Sequence, residues 1–171
     1  MADSNLTKRA LAEALVDLVL EKSFSKVTVS DISEKCDMNR KSFYYHFKDK
    51  YDLVFWIFEN DFREAGADYY DDFMEFIRDL CKCLEKNRVF YKKVLKKDEE
   101  NIFCGHIKEM LKKFPEDCYK KQSDNDEYMA FYMDFFVDSA TALIKKWITE
   151  KDNLSAEEIT SMIRFCFDES I

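Results

Sequence analysis

Apolar residues recur along this chain at spacings of three and four, the period of helices that bury one face. In the first such stretch, from Asn5 or Thr7 to about Lys22, Leu11, Leu15, Leu18 and Val19 share a side. Residues 23–27 interrupt the pattern, leaving Phe24 and Val27 to plug the space before the next helix. Thr28 and Asp31 have the spacing of a capping box, so a second helix is expected from Val29 to about Cys36, with Ile32 and Cys36 inward. After a turn at Asp37 and Met38, Asn39 is the expected N-cap of a third helix. A fourth, capped by Asp49, should run to about Ala65, turn Leu53, Trp56, Ile57 and Phe58 inward and stop at Gly66.

Downstream, Tyr69, Phe73, Phe76, Ile77, Leu80 and Leu84 form one stripe, and Phe90, Val94 and Leu95 a short helix ended by Lys96 and Lys97. Asp98 to Glu100 open another, with Ile102, Phe103, Ile107, Met110, Leu111 and Phe114 inward until Pro115 stops it. Lys120 to Asp126 reads as a polar connector. Two strongly apolar helices follow, the first from about Asn125 to Glu150 with Tyr128, Phe131, Tyr132, Phe135, Phe136 and Ala140. The second begins at Ser155, whose capping box closes on Glu158, and buries Ile159, Met162, Ile163, Cys166 and Phe167. Both helices carry more apolar surface than one face against a small body can hide. A second copy would cover the excess in a four-helix bundle; alternatively, the rings fill each monomer's own core.

Composition narrows the class. Two glycines (Gly66, Gly105) and one proline in 171 residues deny a many-stranded fold its turns and a nucleotide enzyme its phosphate loop. The expected fold is all-α. Two histidines and no nucleophile motif leave little from which to assemble an enzyme. Cys36, Cys81, Cys83, Cys104, Cys118 and Cys166 contain no Cys-x-x-Cys pair, and neither Cys81 with Cys83 nor Cys104 with His106 points one way on a helix. No metal or cofactor is expected, and free thiols suit a reducing cytoplasm. Glu13 and Asp17 break any secretory pattern, and runs such as Leu53 to Phe58 are too short for a bilayer, so a cytoplasmic protein without membrane contact is expected. Sixteen Phe, nine Tyr and two Trp are a heavy load that a ring-lined interface or a ligand cavity would use.

The net charge of −8 changes meaning when divided along the chain. Residues 1–50 carry nine Lys/Arg against eight Asp/Glu, a net of +1, whereas residues 51–171 carry eighteen against twenty-seven, a net of −9. The basic bias centres on the third helix. At about 100° per residue from Arg40, Phe43 and Phe47 fall together on one side and Lys41, Ser42 and Tyr45 on the other, with Tyr44 and His46 on the flanks. A solvated amphipathic helix would show this pattern; so would a recognition helix. The hydroxyls of Thr28 and Ser30, at the start of the second helix, are placed for phosphate contacts. Lys8 and Arg9 oppose the dipole of the first helix, which a nearby phosphate would explain.

The hinge from Phe24 to Val29, the opening Thr28-Val29-Ser30-Asp31-Ile32, and the run Ser42-Phe43-Tyr44-Tyr45-His46-Phe47-Lys48-Asp49-Lys50 carry a resemblance. Residues 8–60 resemble the DNA-binding domain of the TetR family of transcriptional regulators, and Lys41 to Phe58 resemble a narrower subgroup, the regulators of dihydroxyacetone kinase. The resemblance implies a three-helix helix-turn-helix domain over residues 1–50 and a helical ligand-binding and dimerisation domain over residues 51–171. It places Arg40, Lys41, Ser42 and Tyr45 on bases or adjacent backbone, and Tyr44, His46 and the family's phosphate-binding lysine, Lys50, on phosphates. Thr28 and Ser30 match contacts made from the second helix. Asp37 stands where the family most often has glycine. The implied partners are a pseudo-palindromic double-stranded DNA operator, a second copy joined through the last two helices, and either a small-molecule effector or a kinase-like coactivator protein.

Overall fold

The computed structural model describes residues 2–64, 70, 72–96, 101–112, 126–150 and 154–168. Among them lie nine α-helices, one 3-10 turn and no strand. The expected stops at Gly66 and Pro115, the opening at Asp98 to Glu100, and Tyr69, Phe114 and Cys118 lie outside the described residues.

Four helices come first along the chain. The first, α1 (Ala2–Glu21), begins a turn earlier than expected, because no breaker precedes Asn5. The 3-10 turn (Phe24–Lys26) drops Phe24 into the core, and α2 (Val29–Lys35) follows behind the capping box. There the Thr28 amide donates to Asp31 Oδ2 at 2.7 Å, and the Asp31 amide donates back to Thr28 Oγ1 at 3.2 Å. Asp37 takes the turn to α3 (Arg40–His46) with φ 54°, the left-handed conformation that a glycine would adopt without strain. In α4 (Lys50–Glu64) the Asp49 carboxylate accepts from the Tyr51 and Asp52 amides, as its N-cap role requires.

Five more follow: α5 (Phe73–Lys86), α6 (Arg88–Leu95), α7 (Ile102–Lys112), α8 (Asp126–Thr149) and α9 (Ala156–Asp168). Helix α5 packs along α9 and α7 along α8, while α6 touches both α1 and α8. One continuous apolar core runs from Leu11 in α1 to Ile163 in α9. Between α4 and the helices after it the core is made of rings. Phe58 meets Phe103 at 5.6 Å and Tyr91 at 6.1 Å, Phe62 meets Phe76 at 5.3 Å, and His106 stacks on Phe55 at 4.2 Å. Burial pushes the Cys81 and Cys83 thiols up to about 12, so both behave as small apolar groups.

One expectation for α9 is corrected. Met162 and Cys166 face outward beside Phe165, while Ile159 and Ile163 take the inner side and Phe167 is half-buried. Periodicity placed all of these near one stripe, and α5 covers only its inner half. On α8, Tyr128, Phe131 and Phe135 are exposed, in line with the expected excess of apolar surface.

Candidate nucleic-acid interface

Helix α3 is held by its apolar side alone. Phe43 and Phe47 are buried, 5.8 Å apart, and Phe47 meets Trp56 of α4 at 6.1 Å. The Asn39 side chain accepts from the Ser42 amide at 3.0 Å and fixes where the helix begins. With that side anchored, Lys41 and Tyr45 must point away from the molecule. Tyr45 is 83% exposed, and its ring stands edge-on to His46 at 4.9 Å. The Lys41 side chain is exposed and makes no hydrogen bond or ion pair with another described residue. Arg40 lies back along the flank, its guanidinium 5.8 Å from the Tyr44 ring centre and its Nη2 donating to the Tyr44 hydroxyl at 3.3 Å.

The second contribution comes from α2, and here the two expected residues part company. The Thr28 hydroxyl donates to Asp31 Oδ2 at 2.8 Å, so both of its donors are spent inside the cap. Ser30, one turn position on, is partly exposed and keeps its hydroxyl for an outside acceptor. The cap itself is strong: the Thr28 amide, Lys22 at 2.9 Å and the Thr28 hydroxyl hold the Asp31 carboxyl down at about 2.

Lys50 also finds its partners within the protein. Its ammonium donates to Phe24 O at 2.9 Å, Val27 O at 3.0 Å and Ser25 O at 3.5 Å, and lies 4.5 Å from the Phe24 ring centre. An ammonium has three protons, and the two short contacts, to Phe24 O and Val27 O, aim it into the protein. The exposed cation nearest in sequence is Lys48, whose side chain the sequence reading did not single out. Its backbone amide is tied to Asp52 at 2.8 Å, which leaves the side chain at the open end of α3. Lys8 is drawn over the Phe47 ring at 5.7 Å.

Lys41, Ser42, Tyr45 and His46, with Thr7, Met38 and Asn39, line a shallow recess of about 470 Å³. Thr7 brings the early part of α1 to the same surface, a neighbourhood at which the placement of Lys8 and Arg9 hinted. The result is a cationic and aromatic ridge carried on two short helices in the order of a helix-turn-helix.

The chain matches two family models, the tetR family of bacterial regulatory proteins over residues 7–56 and a transcriptional regulator C-terminal region over residues 71–168. The chain belongs to the TetR family. Among relatives of this regulator, the HTH-type dhaKLM operon transcriptional activator DhaS of Lactococcus lactis subsp. lactis (strain IL1403) is 34% identical over 126 residues, which span 71% of this chain and 67% of that one. A solved structure of a dihydroxyacetone kinase operon activator DhaS covers 96% of each chain with a TM-score of 0.71 at 27% identity. A TetR regulator from Rhodococcus sp. RHA1 shares the fold, at a TM-score of 0.60 and 12% identity over 95% of each chain. The TetR-type fold, an amino-terminal helix-turn-helix followed by a helical body, is thereby established, and with it a role in transcription regulation. No described helix is long and apolar enough to cross a membrane.

Proposed function

We propose that this TetR-family regulator reads a pseudo-palindromic operator as a homodimer, with α3 of each copy in successive major grooves about 34–36 Å apart. The observation that carries this reading is the outward set of Lys41 and Tyr45 on a helix whose opposite side is sealed by Phe43 and Phe47. In this reading Lys41, Ser42 and Tyr45 meet base edges or adjacent backbone, and Arg40, Tyr44, His46 and Ser30 bind phosphates. Lys48 supplies a phosphate contact beside them, whereas Thr28 and Lys50 shape the head from within. The division falls at Lys50, with residues 1–50 as the head and 51–171 as the body.

Dimerisation through α8 and α9 accounts for the exposed Tyr128, Phe131 and Phe135 on the one and Met162 and Phe165 on the other. Monomeric surfaces rarely leave so many large apolar groups in one region.

The body's signal is assigned to a partner protein in preference to a free small molecule. What supports this is the ring packing between α4 and α5 to α7, where Phe58 meets Tyr91 and Phe103 and Phe62 meets Phe76. By likeness to a relative named as an operon activator, the sign of regulation is activation.

Gel shifts over a salt series test the DNA reading. Lys41→Ala and Tyr45→Ala should each cost about 1–3 kcal/mol on the operator and little on random duplex. Lys48→Ala should weaken binding to every sequence and reduce the salt slope by about one. Equal losses on all sequences from the two α3 variants would remove them from base readout.

A further inference from the structure

Within its eight residues, α6 sets three cations on the carboxyl ends of two other helices. Lys93 Nζ donates to Val19 O at 2.8 Å and Leu20 O at 2.7 Å, in the last turn of α1. At the end of α8, Arg88 donates through Nη2 to Trp147 O at 2.6 Å and Lys92 donates to Glu150 O, one residue past the helix, at 3.1 Å; Arg88 also reaches through Nη1 to Leu154 O, ahead of α9, at 3.5 Å. The last carbonyls of a helix lack partners of their own and carry the negative end of its dipole, so a cation there forms a charge-assisted bond. Helix α1 has no basic residue in its own last turn; Lys93 supplies one from far along the chain. The same short helix also grips α4, where Asp61 Oδ2 accepts from Tyr91 OH at 3.1 Å and from Asn87 Nδ2, just ahead of α6, at 2.8 Å.

Helix α1 is the platform for α2, which in turn carries α3. Its direction therefore aims the recognition ridge, and α8 bears part of the apolar face assigned to the second copy. We infer that Lys93, braced by Arg88 and Lys92, is a positioning residue for operator binding: it holds α1 at one angle to α8 and so selects the distance between half-sites. This inference rests on the homodimeric reading above. It requires no contact between Lys93 and DNA.

The test uses the full-length protein and the duplex that it selects from a random-sequence pool. Binding is compared on that duplex, on the same duplex with one base pair inserted at its centre, and on a duplex holding a single half-site. The wild-type protein should prefer the intact duplex over the lengthened one by about tenfold or more, a coupling of ordinary size. Lys93→Met, which keeps the apolar stem, should cut that preference to about threefold or less and leave half-site affinity unchanged; Lys93→Arg should restore it. Lys93→Met discriminating as the wild type does would overturn the inference, and so would an equal loss on the half-site, which would mean a damaged head. Circular dichroism reports folding, and should the methionine variant unfold, Lys93→Gln answers the same question: wild-type discrimination in it overturns the inference and reduced discrimination supports it. If the wild-type protein selects no two-fold sequence, the homodimeric reading itself fails, a result separable from any result on Lys93.

Discussion

Two side chains of the head, Asp31 and Lys50, act on stability in ways that can be separated from DNA contact. The folded-state pKa of Asp31 lies below its ordinary 3.8, at about 2, so its contribution is complete above the ordinary value and disappears as the pH falls through about 2. Asp31→Asn should therefore lower the melting temperature at pH 7, and thermal scans should show the difference from wild type closing by about pH 2. Lys50 differs in kind, because its charge is spent on the carbonyls of Phe24 and Ser25 in the 3-10 turn and of Val27 just after it. Lys50→Met should destabilise the protein by roughly 1.5–3 kcal/mol in urea unfolding, the usual worth of hydrogen bonds to a charged group, and leave the salt slope of DNA binding at its wild-type value. A slope reduced by one unit with stability intact would return Lys50 to the phosphate role that the family resemblance implies. The resemblance could match the residue by position; it could not report which acceptor its flexible stem reaches.

At the scale of elements, the helices were legible because their signals are local. Thr28 with Asp31, Asn39 with Ser42, and Ser155 with Glu158 are pairs three residues apart, and each forms the hydrogen bonds that such spacing allows. The helix-turn-helix bend is equally local, and it carries a cost. Asp37 is exposed with a positive φ, so no packing complicates a substitution there. Asp37→Gly should raise stability by about 0.5–1 kcal/mol, and Asp37→Val should lower it by roughly 1–2 kcal/mol, because a β-branched residue resists the left-handed region. Denaturant midpoints check both. What the helical period left undecided was coverage: it aligned Met162 and Cys166 with Ile163, yet α5 reaches only part of that stripe.

For the whole molecule, the question is how an acidic body directs a basic ridge. The outward rings of α8 and α9 include Phe131, 74% exposed, and Phe165, 67% exposed. Phe131→Asp or Phe165→Asp should cost at least about 2 kcal/mol of association, the scale of an interface hot spot, with each copy of the change counted once in a two-fold pair. Sedimentation at micromolar concentration should then find monomers, and operator affinity should fall while half-site affinity persists. Sedimentation of these variants as wild type would move the dimer face elsewhere.

The sequence by itself determined the all-α class, the bounds of α2, α4 and α8 and the start of α9 to within about a residue, the caps at Thr28, Asn39, Asp49 and Ser155, and which face of Arg40–His46 turns outward. These follow from spacings of three and four residues and from a contiguous motif, so neighbours along the chain carry all the information they need. Only the tertiary structure decided where the long cations end and which apolar faces stay uncovered. Lys50 reaches back 23 to 26 residues and Lys93 reaches 73 to 74, distances at which sequence period says nothing about proximity. A stripe shows which side chains share a side of one helix, and the packing of the others settles how much of that side meets water.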